Sequence, residues 1–247
     1  MKRFGWISLL ATLSFMTFMG CRPEPLPILD SGSIVVRFIP MLNGEVVEFG
    51  REGTEHTIDG RMVTFEEFRF YVAGMSLEDE RGTLTHLSEI KLIDFEDIMQ
   101  SNFRIGNLPL NSFEKIQFDI GVPPELNVSQ WDPNLYGGQH PLNNQAMYFQ
   151  EAGSYRFMDL VGFIDDGGSP NIFTYNPGDN SIFQRNISLS TNIELTVETI
   201  STIEIVIDLG IMLDGIDLIA EPKIQQSNNV ELGGRLMRNL NYAISIN

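Results

Sequence analysis

Glu66-Glu67-Phe68-Arg69-Phe70-Tyr71-Val72 sets large apolar residues against polar ones at alternate positions. Successive side chains of a strand point to opposite faces, so this pattern predicts a strand with one buried face and one outward face. A second decisive run, from Thr196 to Leu209, is dense in Thr, Ile and Val. Branching at Cβ favours extended backbone over helix there. Working outward from these two, strands are predicted near residues 33–38, 66–77, 90–94, 115–121, 155–163, 171–175, 186–189, 194–198 and 203–208. Gly, Asn, Asp and Pro cluster between them, as in Asp165-Asp-Gly-Gly-Ser-Pro170 and Asn176-Pro-Gly-Asp-Asn180. Many short strands separated by turn signals predict an all-β fold, an antiparallel β-sandwich of immunoglobulin-like type with long loops. Residues 211–218 and 230–241 break the pattern and predict short helices near the C-terminus, the second with Leu232, Leu236, Met237 and Leu240 at helical spacing. Residues 123–145 form a long polar stretch rich in Asn, Pro and Gly, of a length that is uncommon in a compact domain and often functional.

The 247 residues, 43% hydrophobic, are enough to bury a core. Lys and Arg number 16 against 33 Asp and Glu, a net charge of −17, which excludes nucleic acid as a partner because phosphate-backbone binding needs a basic footprint. The single cysteine, Cys21, excludes an intramolecular disulfide framework. Lys2 and Arg3 precede an apolar run from Trp6 to Met19, about 14 residues, too short to span a bilayer. The run ends in Phe18-Met19-Gly20-Cys21, which resembles a bacterial lipoprotein signal, and Arg22-Pro-Glu-Pro-Leu-Pro27 follows as an extended tether. The expected organisation is a signal peptide over residues 1–20, a Pro-rich tether over 21–32 and one domain over 33–247. Lipidation at Cys21 would hold that domain at the cell envelope. Arg22 resembles the residue of lipoproteins sent to the outer membrane, facing the periplasm or the cell surface.

Motifs that carry chemistry are sparse. There is no Gly-x-Ser-x-Gly, His-Glu-x-x-His or phosphate loop, so the expectation is a non-enzymatic protein. His56, His86 and His140 lie far apart, without a second His or a Cys at ligand spacing. His140 stands out because it sits in the long loop with Met147 nearby, and imidazole with thioether suits copper, Cu(I) in particular. Asp165-Asp166 and Asp179-Asn180 carry oxygens suited to calcium but read first as solvated turns.

From Gly121-Val-Pro-Pro-Glu-Leu-Asn127, through Asp132-Pro133, Pro141-Leu-Asn143 and Met147-Tyr148, to Ser154-Tyr155-Arg-Phe157, the order and spacing resemble the MbnP-like family, the methanobactin-associated copper-binding proteins. Phe68-Arg-Phe-Tyr71, Leu92-Ile-Asp-Phe95 and Phe173 to Gly178 extend the likeness along the chain. The resemblance implies a secreted β-rich domain that binds copper, with a dihaem peroxidase-like partner that oxidises a tryptophan near the metal. The family-motif positions are Asn127, Pro141, Asn143, Tyr155 and Asn176. The histidine that often follows Leu-Asn in the family is Val128 here, two family tryptophans fall on Phe149 and Glu151, and a later histidine falls on Asn176. The resemblance therefore implies a scaffold whose metal site is altered or lost, and the residues themselves leave as the alternative a compensating copper site of His140, Met147 and an acidic residue.

Overall fold

The computed structural model describes residues 30–247 apart from 52, 129, 166, 198 and 227, so Cys21, the expected signal peptide and the expected tether up to residue 29 lie outside the described residues. In chain order the elements are β1 (Gly32–Leu42), β2 (Glu45–Val46), β3 (His56–Ile58), β4 (Arg61–Asp79), β5 (Leu84–Asp94), α1 (Ile98–Ser101), β6 (Asn102–Leu108) and β7 (Ser112–Ile120). Then follow β8 (Tyr148–Phe149), β9 (Ser154–Tyr155), β10 (Met158–Ile164), β11 (Asn171–Pro177), β12 (Gln184–Glu194), β13 (Ile200–Asp208), α2 (Leu209–Met212), β14 (Lys223–Gln226), α3 (Val230–Ala243) and β15 (Ile244–Ile246).

Two sheets pack face to face, as the strand pattern predicts. The smaller runs β15-β13-β1-β2, with β6 also on β1. The larger is organised by the 19-residue β4, which is long enough to hold two strands end to end along each side. One side carries β3 and then β5, and the other carries β10 and then β7. Strands β11 and β14 extend the sheet beyond β10, and β12 extends it beyond β7. Between the sheets Phe38 meets Phe70 and Phe118 edge-on at 5.8 and 6.2 Å, the geometry that ring quadrupoles favour. Ile34, Val36, Ile205 and Ile207 from the smaller sheet and Phe68, Ile116 and Ile120 from the larger are buried in the same core. Asn229 caps α3 by accepting from the Leu232 amide, and Leu232, Leu236, Met237 and Leu240 are buried as their spacing predicts.

The sandwich holds, but its pairing is not wholly antiparallel. Strand β1 runs parallel to β13 from Ser33 beside Ile200 to Met41 beside Asp208, and β11 runs parallel to β14. A parallel pair needs a long crossover rather than a tight turn, so no local signal announces it. The strand expected over 194–198 is absent. β12 ends at Glu194, and the chain turns where Thr196 and Thr199 share a hydroxyl hydrogen bond before β13 begins.

Candidate functional site

Tyr71 marks the break between the two strands that share one side of β4. Its carbonyl accepts from the Gly121 amide at 2.8 Å, and its own amide donates to the Phe157 carbonyl at 3.0 Å. The chain therefore leaves the ladder at Gly121 and rejoins it beside the same residue at Phe157. Everything between, residues 122–156, is one excursion from the sheet. Phe68 and Phe70 fill the inner face of β4, so alternation turns Glu67, Arg69 and Tyr71 to its outer face, and there the excursion is laid down. The Tyr71 hydroxyl donates to the Pro141 carbonyl, and the rings of Tyr71 and Tyr155 meet edge-on at 6.2 Å. The Tyr155 hydroxyl reaches the carbonyls of Leu142 and Trp131 at 2.9 and 3.0 Å. Leu142, Met147, Tyr148 and Tyr155 are buried.

Within the excursion three single turns of 3-10 helix open on side-chain caps. Asp132 accepts from the Asn134 amide, His140 from Leu142 and Asn144 from Ala146. Pro133 and Pro141 occupy first-turn positions, where a missing N–H costs nothing. Asn127 closes the two ends together. Its Oδ1 accepts from the Tyr155 amide at 2.6 Å, and its Nδ2 donates to the Gly178 carbonyl at 3.1 Å and to Asn180 Oδ1 at 2.7 Å.

Beside this closure a polar row crosses four strands on the outer face. Register places Asp94 of β5 and Asp159 of β10 on either side of Arg69, and Asp159 in turn lies beside Asn176 of β11. Arg69 binds Asp94 at 2.8 Å, Glu67 at 2.9 Å and Glu96 at 2.5 Å. Asp159, whose side chain is 5% exposed, takes the Asn176 amide on Oδ1 at 2.7 Å and Arg156 on Oδ2 at 3.2 Å. The Arg156 guanidinium also lies 4.3 Å from the centre of the Phe149 ring, within cation–π range. Arg156 Nε is buried without a hydrogen-bond partner. Two guanidinium groups thus serve four carboxylates. Burial raises the Glu67 carboxyl above its ordinary range, Arg69 lowers it, and the neighbouring acids Asp159, Glu96 and Asp94 push it back up.

The sequence-predicted residues among those described divide between three places. Asn127, Tyr155 and Asn176 belong to the closure and the polar row. Pro141, Asn143 and His140 line a cavity of about 740 Å³ at the sandwich edge, between the excursion, β5, α1 and β6. The His140 ring stacks on Tyr136 at 4.3 Å. Because its Nδ1 accepts from the Leu142 amide at 3.2 Å, the neutral ring carries its proton on Nε2. Burial lowers the pKa of this ring below the usual histidine value, which favours that neutral form, against a smaller opposing effect of Glu89. Met147 is fully buried in the hydrophobic core. Among the described residues no three His, Cys, Asp or Glu side chains are grouped to hold a metal ion. No helix among the described residues is long and apolar enough to cross a membrane. Sequence reasoning missed Arg69, Arg156 and Asp159. The one available signal was Arg156 and Asp159 three residues apart, flanking the buried pair Phe157 and Met158.

The model of the MbnP family matches residues 31–230. Among solved structures, MbnP from Methylosinus trichosporium superposes with a TM-score of 0.50 at 15% identity, over 76% of this chain and 79% of the other. At that identity the match speaks for the fold. No curated protein matches the sequence.

Proposed function

The chain belongs to the MbnP family, and from that premise we propose that it is an envelope-anchored, non-enzymatic binding module whose family copper site has been rebuilt as a closed ion-pair cluster. The observation that carries this reading is the contact of Arg156 with Phe149 and, through Asp159, with Asn176. Phe149 and Asn176 are two of the positions where the family resemblance puts metal-site residues. The donor set there does not fit copper. Copper favours imidazole and thioether, whereas these positions supply a phenyl ring, an amide already donating to a carboxylate, and a guanidinium whose fixed charge repels a cation. A partner that oxidises tryptophan meets Phe149 and Glu151 at the corresponding positions.

Titration of the purified protein with Cu(I) and Cu(II) tests the reading. The expected result is no stoichiometric site at micromolar copper. A tight one-to-one site abolished by His140→Ala would overturn it in favour of copper handling through replaced ligands.

Anchoring rests on Cys21 and its surroundings in the sequence. A single acyl chain holds a protein at a membrane only marginally, so stable attachment takes more than one chain at that cysteine. The Cys21→Ser protein should lose palmitate labelling and move from the membrane fraction to the soluble fraction. Persistence of both label and membrane attachment would remove the anchor from the proposal.

A further inference from the structure

The cavity at the sandwich edge is separate from the ion-pair cluster and has a chemical character of its own. At about 740 Å³ it lies within the size range of small-molecule sites. Its polar wall is mostly amide, with Gln100 from α1 and Gln139, Asn143 and Asn144 from the excursion, beside the carboxylate of Asp97. A primary amide donates and accepts at once, and so does a hydroxyl group, so such a wall suits a polyhydroxylated ligand better than a purely anionic one. Some of these amides are already oriented. Gln100 Nε2 donates to Asp97 Oδ2, which leaves its carbonyl oxygen as an acceptor, and Asn144 Oδ1 accepts from the Ala146 amide, which leaves its NH₂ as a donor.

One cation joins them. Lys91 Nζ is held 5.1 Å from the centre of the Phe103 ring, so its charge is placed at the wall. His140 adds an Nε2–H, because its other nitrogen is engaged by the Leu142 amide. The lining also holds one carboxylate, Asp97, but its Oδ1 and Oδ2 are taken up by the Met99 amide and Gln100 Nε2, so Lys91 is the charged group left to meet a ligand. One cation beside one acid suits at most a single ligand carboxylate, and a doubly charged phosphate would face both Asp97 and the field of a chain with net charge −17.

We propose that this cavity, walled by Lys91, Gln100, His140, Asn143 and Asn144, binds a small sugar acid of the hexuronate type, with the carboxylate on Lys91 and the hydroxyls on the amides. The proposal gives the binding module a ligand and so rests on that reading, but it is independent of the copper result.

Isothermal titration of the purified full chain in detergent with glucuronate, glucose, acetate and phosphate tests it. Glucuronate should bind with a dissociation constant on the order of 1 mM, the strength expected of a ligand of its size, and the other three about tenfold more weakly. Lys91→Met should bring glucuronate down to the level of glucose, and Asn144→Ala should weaken both sugars. A Cβ at Gly138 would meet only Asn143 Nδ2, at 3.9 Å, so Gly138→Trp should fill the cavity mouth and abolish binding while leaving the fold intact. Acetate or phosphate binding as tightly as glucuronate would reduce the cavity to a charge site. Absence of saturation by about 50 mM, well above the expected constant, or unchanged binding in Gly138→Trp, would overturn the proposal even with the copper reading intact.

Discussion

Gly121→Ala should destabilise the protein by about 3–4 kcal/mol, from two causes that add at one atom. Gly121 has φ +109°, a region that L residues enter only under strain, at a cost on the order of 1–3 kcal/mol. An added Cβ would also stand 2.8 Å from the Phe157 ring and 3.0 Å from that of Phe183. Neither ring can retreat easily, because Phe157 is fully buried and packs edge-on against Phe183 at 6.0 Å. Overpacking of this kind costs typically 1–3 kcal/mol. Natural domains have only about 5–15 kcal/mol in all, so the variant should lose a large part of its stability, with a melting temperature lower by roughly 6–16 °C. Denaturant unfolding of wild type and variant measures it, with the slope expected unchanged and the midpoint lowered. Gly215→Ala is the control. Gly215 also has positive φ, +67°, but an added Cβ there meets nothing within 4 Å, so only the strain contribution should remain. Equal effects of the two substitutions would show that the Phe157 contact contributes nothing and that the junction at Tyr71 is looser than described.

The inner half of this architecture was legible locally and the outer half was not. Phe68, Phe70 and Val72 alternate with polar residues, and that alternation alone determines which face of β4 meets the core. The motif residues from Gly121 to Phe157 were legible as an ordered series, and the structure gives the series a physical meaning: they begin, pin and end one excursion. The polar row was illegible because Asp94, Arg69, Asp159 and Asn176 come from four strands and meet only through register. Register is set by the whole sheet, not by spacing along the chain. Strand β6 carries no strand signal, because Asn102-Phe-Arg-Ile-Gly-Asn-Leu108 holds Gly and two Asn, one of them, Asn107, at φ +59°. His140 and Met147 are seven residues apart, a distance that in sequence suggests a shared site. The intervening 3-10 turns give one a capping role at the cavity wall and the other a place in the core.

Asn127→Ala should cost about 3 kcal/mol and loosen the excursion before the sandwich itself. The substitution removes three hydrogen bonds and strands the Tyr155 amide, which sits on a fully buried residue. An unsatisfied buried donor costs about 1–3 kcal/mol, with a smaller loss from the Gly178 carbonyl and Asn180 Oδ1. The chain holds two tryptophans, Trp6 and Trp131, so in a protein with Trp6→Phe the emission of Trp131 reports on the excursion. The Trp131 carbonyl is held by the Tyr155 hydroxyl, so freeing Tyr155 should red-shift and quench that emission at denaturant concentrations where far-ultraviolet circular dichroism is unchanged. Asn127→Asp separates the two halves of the closure. It keeps an acceptor for the Tyr155 amide but turns a carboxylate oxygen toward the Gly178 carbonyl and Asn180 Oδ1, which both accept. Burial against acceptors raises the folded-state pKa of that aspartate above the unfolded value, so the neutral acid, able to donate, is the form that fits. Its deficit relative to wild type should therefore be largest at pH 7 and shrink as pH falls toward 4. A deficit that grows on acidification, or Trp131 emission that changes only together with global unfolding, would show that Asn127 does not hold the excursion closed.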